Sequence, residues 1–125
     1  MAKILVIEDD DQVRSWLCQI LSREAHDVVE ASNRKQGARI FREQPAELVI
    51  TDLIMPEKEG IETIVELVRT YPSVKIIAIS GGGVGDAEAY LQGARILGAQ
   101  RVLKKPFSRE ELLKAVSELT GRPQS

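Results

Sequence analysis

The chain is predicted to fold as an α/β domain of the (βα)5 doubly wound kind: a five-stranded parallel sheet with helices on both faces. Short aliphatic runs, each too brief for a helix, recur along the chain, and between them the apolar period changes from strand-like to helical. A further observation sets the scale. With 125 residues, 43% of them hydrophobic and 29% charged, the chain can build one self-supporting core and lies far from the composition of disordered segments.

The elements follow in order. Ile4-Leu5-Val6-Ile7 is a continuous apolar run rich in β-branched residues, the pattern of a strand buried on both faces. Val13, Leu17, Ile20 and Leu21 then fall at i, i+4, i+7 and i+8, giving a helix with one stripe to lay on the sheet. One of the acids before it, Asp10 or Asp11, is expected to be its N-cap. Val28-Val29 is a weaker run bracketed by Asp27 and Glu30, as edge strands tend to be. The segment from Asn33 to Glu43 reads as a helix weakened by Gly37, which costs about 1 kcal/mol relative to alanine.

Leu48-Val49-Ile50 is the second strong strand, followed by a helical stripe of Ile61, Ile64, Val65 and Val68. Ile76-Ile77-Ala78-Ile79 is the third strong strand, and Asp86 to Leu97 a fourth helix with Gly93 inside it. Val102-Leu103, between Arg101 and Lys104, is a second marginal strand. In the last helix, Ser108 and Glu111 form a capping box, Leu112, Leu113, Val116 and Leu119 give the stripe, and Gly121 with Pro123 stops it. The domain is expected to occupy residues 1–121, with 122–125 a short tail and no output domain.

The charge balance narrows the function. Seventeen Lys and Arg against 19 Asp and Glu leave a formal net charge of −2, which argues against direct nucleic-acid binding. A single Cys18 allows no internal disulfide, and with one histidine, His26, no His/Cys metal site can be built. Cys18 is read as a small buried helix residue and His26 as a solvated loop residue. The first apolar run ends in acids after Ile7, too short for a signal core or a membrane span. A cytoplasmic protein without membrane association is expected.

In a doubly wound sheet, ligands bind beyond the carboxyl ends of the strands. Those ends run into Glu8-Asp9-Asp10-Asp11, Thr51-Asp52, Ser80-Gly81-Gly82-Gly83 and Lys104-Lys105-Pro106. Crowded carboxylates repel unless a cation joins them. Hard oxygen donors point to Mg²⁺ or Mn²⁺, which bind through a few carboxylates, waters and a phosphoryl oxygen. A lysine and a hydroxyl opposite would take the remaining phosphoryl oxygens. Taken singly, each feature has an ordinary reading as a cap, a turn or a solvated edge; their coincidence at one rim carries the argument. The glycines at 81–83 and 85 match neither G-x-x-x-x-G-K-[ST] nor a complete G-x-G-x-x-G, and read as an open, movable loop.

Four stretches, Ile4 to Asp10, Val49 to Pro56 with Gly60, Ile79-Ser80-Gly81 and Leu103 to Phe107, resemble in order and spacing the receiver domain of bacterial two-component response regulators. The resemblance spans essentially the whole chain. It implies a flavodoxin-like strand order, 2-1-3-4-5, and a signalling domain rather than an enzyme. It implies that Asp52 accepts a phosphoryl group from a phosphohistidine on a sensor histidine kinase or histidine phosphotransfer protein. Asp9, Asp52 and the backbone carbonyl of Ile54 would bind Mg²⁺, with Glu8 acting mostly through water. Ser80 would be the switch hydroxyl and Lys105 the pairing ammonium, joined to Pro106 by a cis peptide; Lys104 is read as solvated.

Two positions depart from the family's usual pattern. Glu8 replaces an aspartate, and metal binding is expected to survive. Val102 stands where an aromatic residue often turns inward, so coupling from Ser80 would be weakened or carried by the loop and the fourth helix. The readout face is expected on the fourth helix, fifth strand and fifth helix, offered to an unknown downstream protein or to a second copy as a homodimer. The competing readings are a phosphorylation-independent interaction module, a Mg²⁺-dependent phosphohydrolase and a flavodoxin-like cofactor binder. Setting aside Glu8 to Asp11 turns the overall negative charge into a slight positive one, so the acidity is concentrated after the first strand.

Overall fold

Five parallel strands lie in the order β2-β1-β3-β4-β5, as the sequence predicts, with the two charge-bracketed strands at the margins. The structure is a computed structural model describing residues 2–52, 65–80 (the Ser80 side chain excepted) and 98–121. In chain order they form β1 (Lys3–Ile7), α1 (Asp11–Arg23), β2 (Asp27–Ala31), α2 (Arg34–Glu43), β3 (Leu48–Asp52), β4 (Lys75–Ser80), β5 (Arg101–Lys104) and a C-terminal helix (Arg109–Thr120). Residues 65–70 are also helical. Ile61, Ile64, the glycine stretch 81–85, the helix expected over Asp86 to Leu97 and the tail 122–125 lie outside the described residues.

Alternation along the inner strands sends side chains into two separate layers. Leu5, Ile7, Val49, Ile76 and Ala78 pack with Phe41 of α2 and Leu67 on one face. Ile4, Val6, Leu48, Ile50, Ile77 and Ile79 pack with Leu17 and Leu21 of α1 and Leu112 and Val116 of the C-terminal helix on the other. Because both faces are covered, β1 and β3 read as unbroken apolar runs. Each large side chain buried this way contributes about 1.5–3 kcal/mol. Phe41 also meets Tyr71 edge-on, with ring centroids 4.6 Å apart.

Capping residues fix where the helices start, and so where the loops that build the rim lie. Asp10, one of the two expected caps, accepts hydrogen bonds from the amides of Gln12 and Val13. Asn33 accepts one from Gln36, and both halves of the Ser108–Glu111 capping box are formed. Gly121 ends the C-terminal helix in the left-handed conformation, at φ 70°, where glycine carries no steric penalty.

Two sequence expectations are corrected here. His26 is not simply solvated: it is half-buried, and its Nδ1 accepts the Ala2 amide at 3.2 Å, tying the chain start to the turn before β2. Cys18 is half-buried rather than buried; burial, followed by the charge of Glu30, pushes its thiol up to about 11.

Gly37, a weakness by helix propensity, is required by packing. A Cβ there would lie 2.5 Å from Ile7 Cδ1 and 2.8 Å from Cγ1, so only glycine lets α2 approach β1 this closely. Gly37→Ala is therefore expected to destabilise by about 1–3 kcal/mol, despite the gain in helix propensity. Urea denaturation should show that loss, and trimming the obstruction in Gly37→Ala/Ile7→Val should recover part of it. A stabilised single variant would refute the packing account.

Candidate functional site

Parallel strands in register deliver their carboxyl ends to one rim. Ile7 lies opposite Thr51, Asp52 opposite Ile79 and Ser80 opposite Lys104, so Glu8, Asp52 and Lys105 arrive at nearly the same level. Lys105 Nζ donates to Asp52 Oδ2 at 2.9 Å and to Glu8 Oε1 at 3.1 Å. Both carboxylates are interior: Glu8 is 0% and Asp52 2% exposed. The second oxygen of Glu8 accepts the Asp10 amide at 3.1 Å, so the acid is held from both sides.

Burial and close charged neighbours shift the titration of Glu8 and of Lys105. The Glu8 carboxyl is pushed up to about 8, chiefly by burial, then by the hydrogen bond to Asp52 and by its charge; the Asp10 amide and Lys105 pull it back down. For Lys105, burial works against the charged form. The hydrogen bond and charge of Asp52, with those of Glu8, outweigh it and raise the pKa. The ammonium thus stays charged.

Asp9 is exposed and completes the cluster. One carboxylate oxygen from each of Glu8, Asp9 and Asp52 lies within 4.8 Å of the others. An all-oxygen donor set without histidine or thiol, carrying more negative charge than one lysine offsets, fits a hard divalent cation such as Mg²⁺ or Mn²⁺. Of the other predicted site residues, the carbonyl of Ile54 and the hydroxyl of Ser80 lie outside what the structure describes. Lys105–Pro106 is cis and Lys104 is exposed, both as expected. Val102 is half-buried against the layer that contains Ala78 and Leu5.

Two features of the rim escaped the sequence reading. Trp16 of α1, 39% exposed, meets Phe107 at 5.6 Å between ring centroids. With Val13, Lys105 and Pro106 these rings line an open groove of about 440 Å³ beside the acids. The other feature is Arg14, whose guanidinium reaches the Glu8 carbonyl, Asp11 and Glu30. The i, i+3 spacing of Asp11 and Arg14 was a visible signal for one of these contacts; the contact with the Glu8 carbonyl needed the packing of α1 against the end of β1, and that with Glu30 the β1–β2 pairing.

A doubly wound sheet with clustered acids and a facing lysine at its carboxyl rim defines a class of small α/β domain whose acids suit a hard cation. The response regulator receiver domain model matches residues 4–117, and the chain belongs to that family, the signalling domains of two-component systems. A probable chemotaxis protein CheY from Rhizobium etli is 34% identical over 120 residues, covering 95% of this chain and 92% of that protein. The transcriptional regulatory protein CpxR from Klebsiella pneumoniae is 31% identical over 122 residues, covering 98% of this chain but 50% of CpxR. The chain thus spans nearly all of the first relative and about half of the second. Among solved structures, a receiver domain protein from Clostridium thermocellum superposes with a TM-score of 0.88 at 29% identity, over 97% of this chain and 95% of that one.

Proposed function

We propose that Asp52 is a phosphoacceptor and that the domain, residues 1–121, is a phosphorylation-driven switch. The observation that supports this best is Lys105 Nζ bridging Asp52 and Glu8 beside Asp9. A carboxylate oxygen of Asp52 attacks the phosphorus of a phosphohistidine on a sensor kinase or phosphotransfer protein. The new O–P bond forms as the P–N bond breaks, and the imidazole keeps the electron pair. Asp9, Asp52 and the Ile54 carbonyl would hold Mg²⁺, with Glu8 acting through water; when bound, the ion neutralises charge that would otherwise keep the two anions apart. Lys105 would pair with the phosphoryl group, and Ser80 would donate to it.

The phosphoryl group adds about −1.5 to −2 charges at Asp52 and would bias the face of β5 and the C-terminal helix, together with the segment Asp86 to Leu97 that the sequence predicts as a helix, toward a protein partner or a second copy. With no helix among the described residues long and apolar enough to cross a membrane, we place this activity in the cytoplasm. Val102 favours one other reading, a receiver that binds partners without phosphorylation.

Incubation with a small phosphodonor and Mg²⁺, followed by intact mass measurement, decides between them. A labile phosphoryl adduct on the parent and none on Asp52→Ala is expected. No adduct on the parent, even with a competent kinase, would reject the proposal, and many donor turnovers per protein would make the domain a hydrolase instead.

A further inference from the structure

The turn Glu8-Asp9-Asp10-Asp11 supplies two members of the acid cluster, yet four consecutive acids have no intrinsic reason to bring the right two beside Asp52. One side chain arranges them. Arg14, only 14% exposed, donates from Nη1 to the backbone carbonyl of Glu8 at 2.8 Å and from Nε to Glu30 Oε1 at 3.0 Å. Its Nη2 donates to Asp11 Oδ1. A single planar fork thereby joins the end of β1, the first turn of α1 and the edge strand β2, and Arg14's own amide returns to the Asp10 carbonyl at 2.9 Å.

The Glu8 carbonyl belongs to the peptide that leads into Asp9. Fixing that carbonyl restrains the peptide plane from which Asp9 departs, and so narrows the directions open to its carboxylate, one oxygen of which lies within 4.8 Å of a carboxylate oxygen of Asp52 and of Glu8. The same guanidinium neutralises Asp11 and Glu30, the two neighbouring acids that could otherwise compete for a cation. From this geometry we infer that Arg14 is a positioning residue for the cation-binding turn, aiming Asp9 and holding Asp11 and Glu30 away. The inference rests on the reading that Glu8, Asp9 and Asp52 hold a divalent cation.

Charge and positioning predict opposite signs, which makes the test sharp. If Arg14 acted only as a nearby positive charge, removing it would tighten cation binding. If it aims the turn, removing it weakens binding, and lysine cannot substitute because an ammonium cannot reproduce the three-way fork. Supporting contacts of this kind are worth about 10–100-fold in metal affinity.

The experiment is calorimetric titration of Mg²⁺ into the full chain, without phosphodonor, for the parent, Arg14→Gln, Arg14→Lys, Glu30→Gln and Asp9→Asn, with thermal melts to verify folding. We expect Arg14→Gln and Arg14→Lys each to bind about tenfold more weakly. Glu30→Gln, which removes an exposed partner without touching the turn and so keeps the test open should an Arg14 variant fail to fold, should weaken binding by a smaller factor that persists at high salt, where the direct effect of its lost charge is screened. Asp9→Asn should abolish binding. Tighter binding by Arg14→Gln, parental affinity in Arg14→Lys, or parental affinity in Glu30→Gln where the Arg14 variants do not fold, would overturn the inference and leave the cation site standing. A parent that binds no Mg²⁺ would remove both.

Discussion

Lys105→Met should be the most damaging substitution at the rim, lowering stability by about 3–5 kcal/mol at a pH where both of its partners are ionised. The magnitude follows from what is left behind rather than from the lost contacts. Glu8 and Asp52 are almost completely buried, and Lys105 is the cation that touches both, at 3.1 and 2.9 Å. Without it, two carboxylates face each other away from water. The fold can escape partly by taking up a proton on Glu8, so the loss should be larger at pH 9 than at pH 6 and should shrink when Mg²⁺ is added. Denaturant unfolding at the two pH values, with and without Mg²⁺, measures this. Adding Glu8→Gln should restore most of the stability, because one ionisable partner is gone. A pH-independent loss of 1 kcal/mol or less would mean that the ammonium is peripheral to the acids.

The second large effect needs no mutation. The Glu8 carboxyl titrates near 4.5 when unperturbed and is pushed up to about 8 in the folded protein, mainly by burial. Between those values the folded chain holds a proton that the unfolded chain has released. More protons bound in the native state means that unfolding becomes easier as pH rises. The contribution of Glu8 to the stability of the metal-free protein should therefore be fully present below its unfolded value and be lost, by an amount on the order of a few kcal/mol, as pH rises through about 8. Mg²⁺ binding should show the opposite trend, strengthening over the same range as the proton it displaces becomes easier to remove. Melting curves of the parent and Glu8→Gln across this range test the assignment: the variant should lack the slope. An equal slope in both would place the titrating group elsewhere.

Much of the fold was legible because its determinants are local. The unbroken runs at Ile4 and Leu48 announce strands covered on both faces, and the charges around Val28 and Val102 mark the sheet margins. Ser108 and Glu111 act within a single turn, so their box was readable from spacing. The misreadings involve partners distant in sequence. His26 looked solvated because its partner, the Ala2 amide, is brought to it only when β1 and β2 pair. Gly37 looked like a defect because helix propensity is a property of α2, whereas the crowding comes from Ile7 on the sheet.

The site follows the same rule. The acid run from Glu8 to Asp11, Asp52 and the Lys104-Lys105 pair could be brought to one rim from the strand ends alone, since in-register parallel strands terminate together. Which of the adjacent Lys104 and Lys105 belongs to the site was supplied only by the family resemblance; in the structure it is Lys105 that reaches Glu8 and Asp52. Arg14 was overlooked because its fork is legible only after α1, β1 and β2 are docked.

The contact between Trp16 and Phe107 gives the domain a built-in optical label. Trp16 is the chain's single tryptophan, and it rests on a ring two residues beyond Lys105, in the groove that Lys105 itself lines. All tryptophan emission therefore arises from one position at the edge of the rim. Binding at the acid cluster is therefore expected to change that emission in unlabelled protein, with no second tryptophan to subtract.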